Sequence, residues 1–124
     1  MTRTVLIVED VEVCRDALEL AFMQVPDLAI RSVATAEQAL EWLTANEASV
    51  LVTDLHLPHM DGFELVETIR SKWKDLSLPI VVISGDTDPR TPARLASLGA
   101  DAYFSKPYSP AEVRQKLEQL IDGL

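Results

Sequence analysis

The sequence predicts an α/β fold: a doubly wound parallel sheet with helices on both faces, in three layers. Three observations carry that expectation. Apolar, strand-like runs alternate with amphipathic helical stretches five times along the chain. The runs at 4–8, 49–53 and 79–83 are continuous rather than alternating, as strands buried on both faces are. Several of them stop at a residue that can do chemistry, and in a parallel sheet those ends lie along one edge.

Val5-Leu6-Ile7-Val8 forms the first run and ends at Glu9 and Asp10. Cys14, Ala17, Leu18, Ala21 and Phe22 follow with helical spacing, which places them on one apolar stripe, until Pro26-Asp27 interrupts it. Residues 28–33 alternate loosely, as a half-buried edge strand does. Thr35 and Gln38 make a capping box for a second helix with Ala36, Ala39, Leu40 and Leu43 inward, ending near Asn46. The central strand, 49–54, runs up to Asp54, and Leu55-His56-Leu57-Pro58 cannot extend it. Asp61-Gly62 introduces a third helix, with Phe63, Val66, Ile69 and Trp73 expected on one side. Pro79 opens the fourth strand, which ends at Ser84, and a short helix from Thr91-Pro92 to Leu98 closes on Gly99. A fifth strand at 101–105 leads to Lys106, and Ser109-Pro110-Ala111-Glu112 starts the last helix, carrying Val113, Leu117, Leu120 and Ile121; Gly123-Leu124 finishes the chain.

A chain of 124 residues is the size of one domain, read here as 1–124, with no linker, repeat or low-complexity segment. Its apolar content of 48% is ordinary for a globular protein, and no apolar run approaches the length of a membrane span. The first apolar run is also too short for a signal peptide, and the lone Cys14 has no internal partner, so the expected location is the cytoplasm. A net charge of −9 argues against direct binding of nucleic acid, whose phosphates need a basic face.

Glu9, Asp10 and Asp54 would meet at the carboxyl ends of the first and third strands, where open α/β sheets bind ligands. Two unit charges about 4 Å apart repel by roughly 4 kcal/mol at an effective dielectric near 20. Lys106 offsets part of this, and a hard divalent cation with oxygen ligands, Mg²⁺ or Mn²⁺, offsets more. A site of this kind is suited to receive a phosphoryl group, with Asp54 as nucleophile and Ser84 offering a hydroxyl to a phosphoryl oxygen. Taken singly, Asp54 reads as a turn cap; it is the matching strand ends that change the reading. His56 and His59 read as loop residues facing solvent, because their spacing matches no closed ligand set. Cys14 reads as a small core residue, and Trp42 and Trp73 as packing or helix-edge residues.

Glu9-Asp10, Asp54, Pro58, Met60-Asp61-Gly62, Ser84, Gly99-Ala100, Tyr103 and Lys106-Pro107 together resemble the signature of the response-regulator receiver domains of bacterial two-component signalling. The resemblance covers nearly the whole chain and implies a five-stranded flavodoxin-like fold with strand order 2-1-3-4-5. It implies that Asp54 accepts a phosphoryl group from a sensor histidine kinase, a phosphotransfer protein or a small phosphodonor. It implies that Glu9, Asp10, Asp54 and the backbone carbonyl of His56 hold Mg²⁺, that Lys106 contacts the phosphoryl group, and that the Lys106–Pro107 bond is cis. Ser84 and Tyr103 would be the switch pair acting on the face made by the fourth helix, fifth strand and fifth helix. His56 and Asp86 fall where receivers tune phosphoryl lifetime. Such a domain is not an enzyme in the usual sense, though it catalyses its own phosphoryl transfer and autodephosphorylation. Its partners would be the kinase and a downstream output domain or protein, and many receivers dimerise on phosphorylation. Ser84 stands where threonine is common, which loosens the coupling to Tyr103, and Pro89 and Pro92 stiffen the lead-in to the fourth helix.

Three other functions compete. An adaptor receiver would act by protein contact with vestigial phosphorylation. An aspartate-nucleophile phosphatase typically wants a second acid two residues after the nucleophile, where this chain has His56. A flavin-binding member of the same fold needs a phosphate cradle after the first strand, and Glu9-Asp10-Val11-Glu12 is acidic there.

Overall fold

The computed structural model describes residues 3–122; the expected ending at Gly123-Leu124 lies outside the described residues. Five strands, β1 (Arg3–Val8), β2 (Leu28–Val33), β3 (Val50–Asp54), β4 (Ile80–Ser84) and β5 (Ala102–Ser105), form one parallel sheet in the order β2-β1-β3-β4-β5. Helices α1 (Glu12–Phe22), α2 (Ala36–Ala45), α3 (Gly62–Glu67), α4 (Thr91–Leu98) and α5 (Pro110–Asp122) connect and flank them. This is the expected flavodoxin-like topology.

Strand pleating divides the core in two. Val5, Ile7, Val50, Val52, Val81 and Ile83 face one side and pack with Leu18, Ala21 and Phe22 of α1 and Val113 and Leu117 of α5. Leu6, Val8, Leu51, Ile80 and Val82 face the other, against Ala36 and Ala39 of α2, Leu65 and Val66 of α3 and Leu95 of α4. Alternate residues of a strand point to opposite faces. Asp54 therefore continues the Val50–Val52 parity towards α1 and α5, whereas Ser84 continues that of Ile80 and Val82 towards α3 and α4.

The helix signals in the sequence operate as expected at several ends. Thr35 Oγ1 accepts the Gln38 N–H at 3.1 Å, and Gln38 Oε1 accepts the Thr35 N–H at 3.2 Å, completing the capping box. Asp61 Oδ1 accepts the Glu64 N–H at 2.9 Å, and Ser109 Oγ that of Glu112 at 3.3 Å. Gly99 closes α4 with φ at 105°, a conformation that favours glycine.

Three expectations change. After α3 the chain widens into a π-helical stretch, Thr68–Lys72, in which the Trp73 N–H donates to the Thr68 carbonyl five residues back, at 2.9 Å. The extra residue in the turn rotates the following positions, so Trp73 is 41% exposed rather than on the buried side with Val66 and Ile69. In α1, Leu18, Ala21 and Phe22 set the inward face; Ala17 is exposed and Cys14 only half-buried. Asp54 is less of a rim residue than its strand-end position suggests, at 8% exposure.

Gly62 fixes how α3 meets the end of β3. Its N–H donates to the Leu55 carbonyl at 2.8 Å, and a Cβ there would lie 2.7 Å from the Asp54 carbonyl oxygen and 2.8 Å from the Leu55 Cα. Both are backbone atoms and cannot swing away. Gly62→Ala should therefore lower unfolding free energy by about 1–3 kcal/mol in urea titration; an unchanged transition would contradict the close packing.

Candidate functional site

The site lies at the carboxyl ends of β1, β3, β4 and β5. Asp54 Oδ1 accepts the Leu55 N–H at 2.6 Å and, more weakly, the His56 N–H at 3.4 Å. Its Oδ2 is 3.4 Å from Lys106 Nζ, which also donates to Glu9 Oε1 at 3.1 Å. Lys106 reaches this position because it keeps the parity of Ala102 and Phe104, the residues of β5 that face α1 and α5. The Lys106–Pro107 peptide is cis. Glu9 is 1% exposed, its Oε2 accepting the Val11 N–H at 3.3 Å and its backbone carbonyl accepting from Arg15 at 2.9 Å. Asp10 is exposed, and carboxylate oxygens of Glu9, Asp10 and Asp54 all come within 4.8 Å of one another.

A second polar group stands on the other face of the sheet. Ser84 is fully buried, and its Oγ accepts the Asp86 N–H at 3.1 Å. Tyr103 lies opposite Val82 in the β4–β5 register and packs against the α2–α4 core, with its hydroxyl 3.4 Å from the Asp86 carbonyl. The exposed His56 has Nε2 3.7 Å from Asp86 Oδ2. His59 is also exposed and adopts a positive φ of 65°.

The charges are unevenly compensated. Burial, followed by repulsion from Asp54, raises the Glu9 pKa above the ordinary glutamate value, although the Lys106 and Val11 hydrogen bonds oppose the rise. For Lys106 burial works against the charged form, but attraction to Asp54 and the bond to Glu9 outweigh it and raise its pKa. Burial raises the Tyr103 pKa, with further contributions from Asp86 and Asp54. One ammonium thus faces three carboxylates, and among the described residues no ion pair involves Asp10. Unit charges at 4.8 Å, the widest spacing within the cluster, repel by about 3.5 kcal/mol at an effective dielectric near 20, less where solvent screens Asp10. The donor set is all oxygen, which suits a hard divalent cation and not a soft transition metal.

Residues 5–118 match the family described as the response regulator receiver domain. The chain belongs to that family. It is 32% identical over 119 residues to the transcriptional regulatory protein GltR of Pseudomonas aeruginosa, a match spanning 96% of this chain and 49% of that protein. It is also 32% identical over 85 residues to a chemotaxis protein CheY homolog of Campylobacter jejuni, covering 68% of this chain and 65% of that one. The signal receiver domain of an HD domain-containing protein from Pseudomonas fluorescens superposes with a TM-score of 0.89 at 26% identity, over 99% of this chain and 97% of the other. The Francisella response regulator 1452 receiver domain matches at TM-score 0.89 over 98% of each chain, and at 20% identity this is a likeness of fold. The chain spans about half the length of the curated relatives that it matches along nearly all of its own.

As a receiver domain it is a signalling module and not an enzyme in the usual sense. Among the described residues no helix is long and apolar enough to cross a membrane.

The structure brings Glu9, Asp10, Asp54 and Lys106 into one cluster, and joins Ser84, Tyr103 and His56 around Asp86 beside it. Reading the sequence alone missed Arg15, which buttresses the Glu9 carbonyl, and took Gly62 as a helix start and part of the family signature without seeing its close packing on the end of β3. It also missed Thr91, whose hydroxyl donates to Asp86 Oδ2 at 3.1 Å. Gly62 left a usable signal, a glycine eight residues after Asp54 following an N-cap aspartate. Arg15 and Thr91 left none.

If crowding of acids is the governing strain, Asp10→Asn should raise the metal-free Tm by about 4 °C, corresponding to about 1 kcal/mol. Millimolar Mg²⁺ should raise the Tm of the parent and leave that of Asp10→Asn nearly unmoved. Equal Mg²⁺ shifts in the two proteins would contradict this assignment.

Proposed function

We propose that this receiver domain, taken as one unit over residues 1–124, is a phosphoacceptor of a two-component system. Asp54 takes the phosphoryl group from a sensor histidine kinase, a phosphotransfer protein or a small phosphodonor. The observation that best supports this is Asp54 Oδ2 lying 3.4 Å from Lys106 Nζ, while Oδ1 is engaged by the Leu55 N–H. Oδ2 is the freer oxygen and would attack phosphorus; the donor's bond to phosphorus breaks, and an aspartyl phosphate forms. Lys106 would move from the carboxylate to the new phosphoryl oxygens.

The residues fit Mg²⁺, or Mn²⁺ in its place: Glu9, Asp10, Asp54 and the His56 backbone carbonyl would hold it. When bound, the ion supplies positive charge against the phosphoryl oxygens. Glu9 and Asp10 are then no longer a net cost to the fold.

The phosphoryl group adds about −1.5 to −2 charge, and the Ser84 hydroxyl would turn to donate to it. Tyr103 would respond to the displacement of Ser84 and alter the face made by α4, β5 and α5. That face would then meet an output domain or partner protein, or a second copy in a phosphorylation-dependent dimer. His56 and Asp86 would govern access of water to the phosphoryl group and so its lifetime. The acidic surface fits protein contact better than direct binding of nucleic acid, and the setting would be the cytoplasm.

Acetyl phosphate with Mg²⁺ should add one phosphoryl group to the parent by intact mass and none to Asp54→Asn; an equal adduct on the variant would place the acceptor elsewhere. Replacing His56 and Asp86 together should change the phosphoryl half-life by a factor of about three or more. Equal half-lives in the double variant and the parent would remove both residues from that role.

A further inference from the structure

Asp86 occupies the β4–α4 loop, and five separate groups converge on it. Its N–H donates to Ser84 Oγ at 3.1 Å, and its carbonyl lies 3.4 Å from the Tyr103 hydroxyl. Its Oδ2 accepts the Thr91 hydroxyl at 3.1 Å and lies 3.7 Å from His56 Nε2, while Oδ1 accepts the Asp88 N–H at 2.8 Å. Thr91 is the first residue of α4 and is 3% exposed. Arg90, at the N-cap, contributes no side-chain cap, and Pro92 brings no N–H. Beside the Thr91 N–H bond to the Asp88 carbonyl at 3.1 Å and Arg94 stacked 3.7 Å over Phe63, the side-chain tie of the first turn of α4 to the sheet edge is this one buried hydroxyl and one carboxylate. Its other end is held independently, where the Arg70 guanidinium bonds the Gly99 carbonyl at 2.9 Å and the Asp101 carboxylate at 3.0 Å.

We propose that Asp86 is a positioning residue that carries the state of Asp54 to the first turn of α4 through the Thr91 hydroxyl. The inference rests on the phosphoacceptor reading of Asp54. A Ser84 hydroxyl that turns to a phosphoryl oxygen leaves the Asp86 N–H without its acceptor. The loop shifts in response, and because the same residue carries the acceptors for Tyr103 and Thr91, both bonds are disturbed together. With Arg70 holding the Gly99 end, the displacement appears at the Thr91 end of α4. Thr91 would thus be a second reporter beside Tyr103.

The test is amide hydrogen exchange at Arg94 and Leu95, in the first turns of α4, with Mg²⁺ and with or without acetyl phosphate. Intact mass is read on the same samples. In the parent, phosphorylation should accelerate exchange at both amides by about tenfold. Thr91→Val should exchange fast at both amides before phosphorylation and show no further change, whereas Thr91→Ser, which keeps the hydroxyl, should behave as the parent. A phosphoryl adduct with unchanged exchange in the parent would overturn this proposal alone, as would a Thr91→Val variant that responds like the parent. No adduct on the parent would overturn the phosphoacceptor reading, and this proposal with it.

Discussion

The ammonium group of Lys106, shared between Glu9 and Asp54, is the contact on which the rest of the site depends. Glu9 is almost wholly buried and Asp54 nearly so. Burying a carboxylate is costly unless an opposite charge and hydrogen bonds answer it. Here the answer comes from a residue fifty-two positions along the chain from Asp54, delivered by the last strand. Among the described residues Asp10 has no such partner, and this imbalance is what supports the proposed reading of the cluster as a site for a cation and a phosphoryl group.

Parallel topology and strand pleating do the rest of the arranging. The carboxyl ends of β1, β3, β4 and β5 share one edge, so polar residues at those ends must meet. Pleating then sorts them: Asp54 and Lys106 fall on the α1–α5 side, Ser84 and Tyr103 on the α2–α4 side. The two pairs lie on opposite faces of the sheet, and the Lys106 N–H donates to the Ser84 carbonyl at 2.8 Å where they adjoin. Gly62 supports the arrangement by letting α3 start in direct contact with the Asp54 carbonyl. At the opposite edge of the sheet, the Asp101 carboxylate joins the Ile80 N–H to Arg70 and holds the starts of β4 and β5 together.

Much of this was legible in the residues. Continuous apolar runs announced buried strands, and Thr35 with Gln38, Ser109 with Pro110, and Gly99 marked helix ends that the structure places within a residue or so. Glu9, Asp10, Asp54, Ser84 and Lys106 could be gathered because each follows or ends a strand, and position at a strand end is a sequence property. What escaped depends on three-dimensional registry. Trp73 followed the period of α3, but a π-helical stretch adds a residue to the turn, and side-chain periodicity carries no trace of it. Ala17 and Cys14 fitted the apolar stripe of α1, yet Leu18 and Phe22, being larger, set the angle at which the helix lies. Thr91 looked like an ordinary residue before a proline; its bond to Asp86 exists only because the β4–α4 loop curls so that the Asp86 carboxylate meets the first residue of α4.

The central claim is that Asp10 and Asp54, opposed across one edge of the sheet, are built to share a divalent cation. Diffraction at the manganese edge from crystals grown with Mn²⁺ tests it most directly. The account predicts an anomalous peak between the two carboxylates, with an oxygen of each at roughly 2.0–2.3 Å, as for hard-cation ligands. A carboxylate of Asp10 turned away from Asp54, with no peak between them at saturating Mn²⁺, would contradict it.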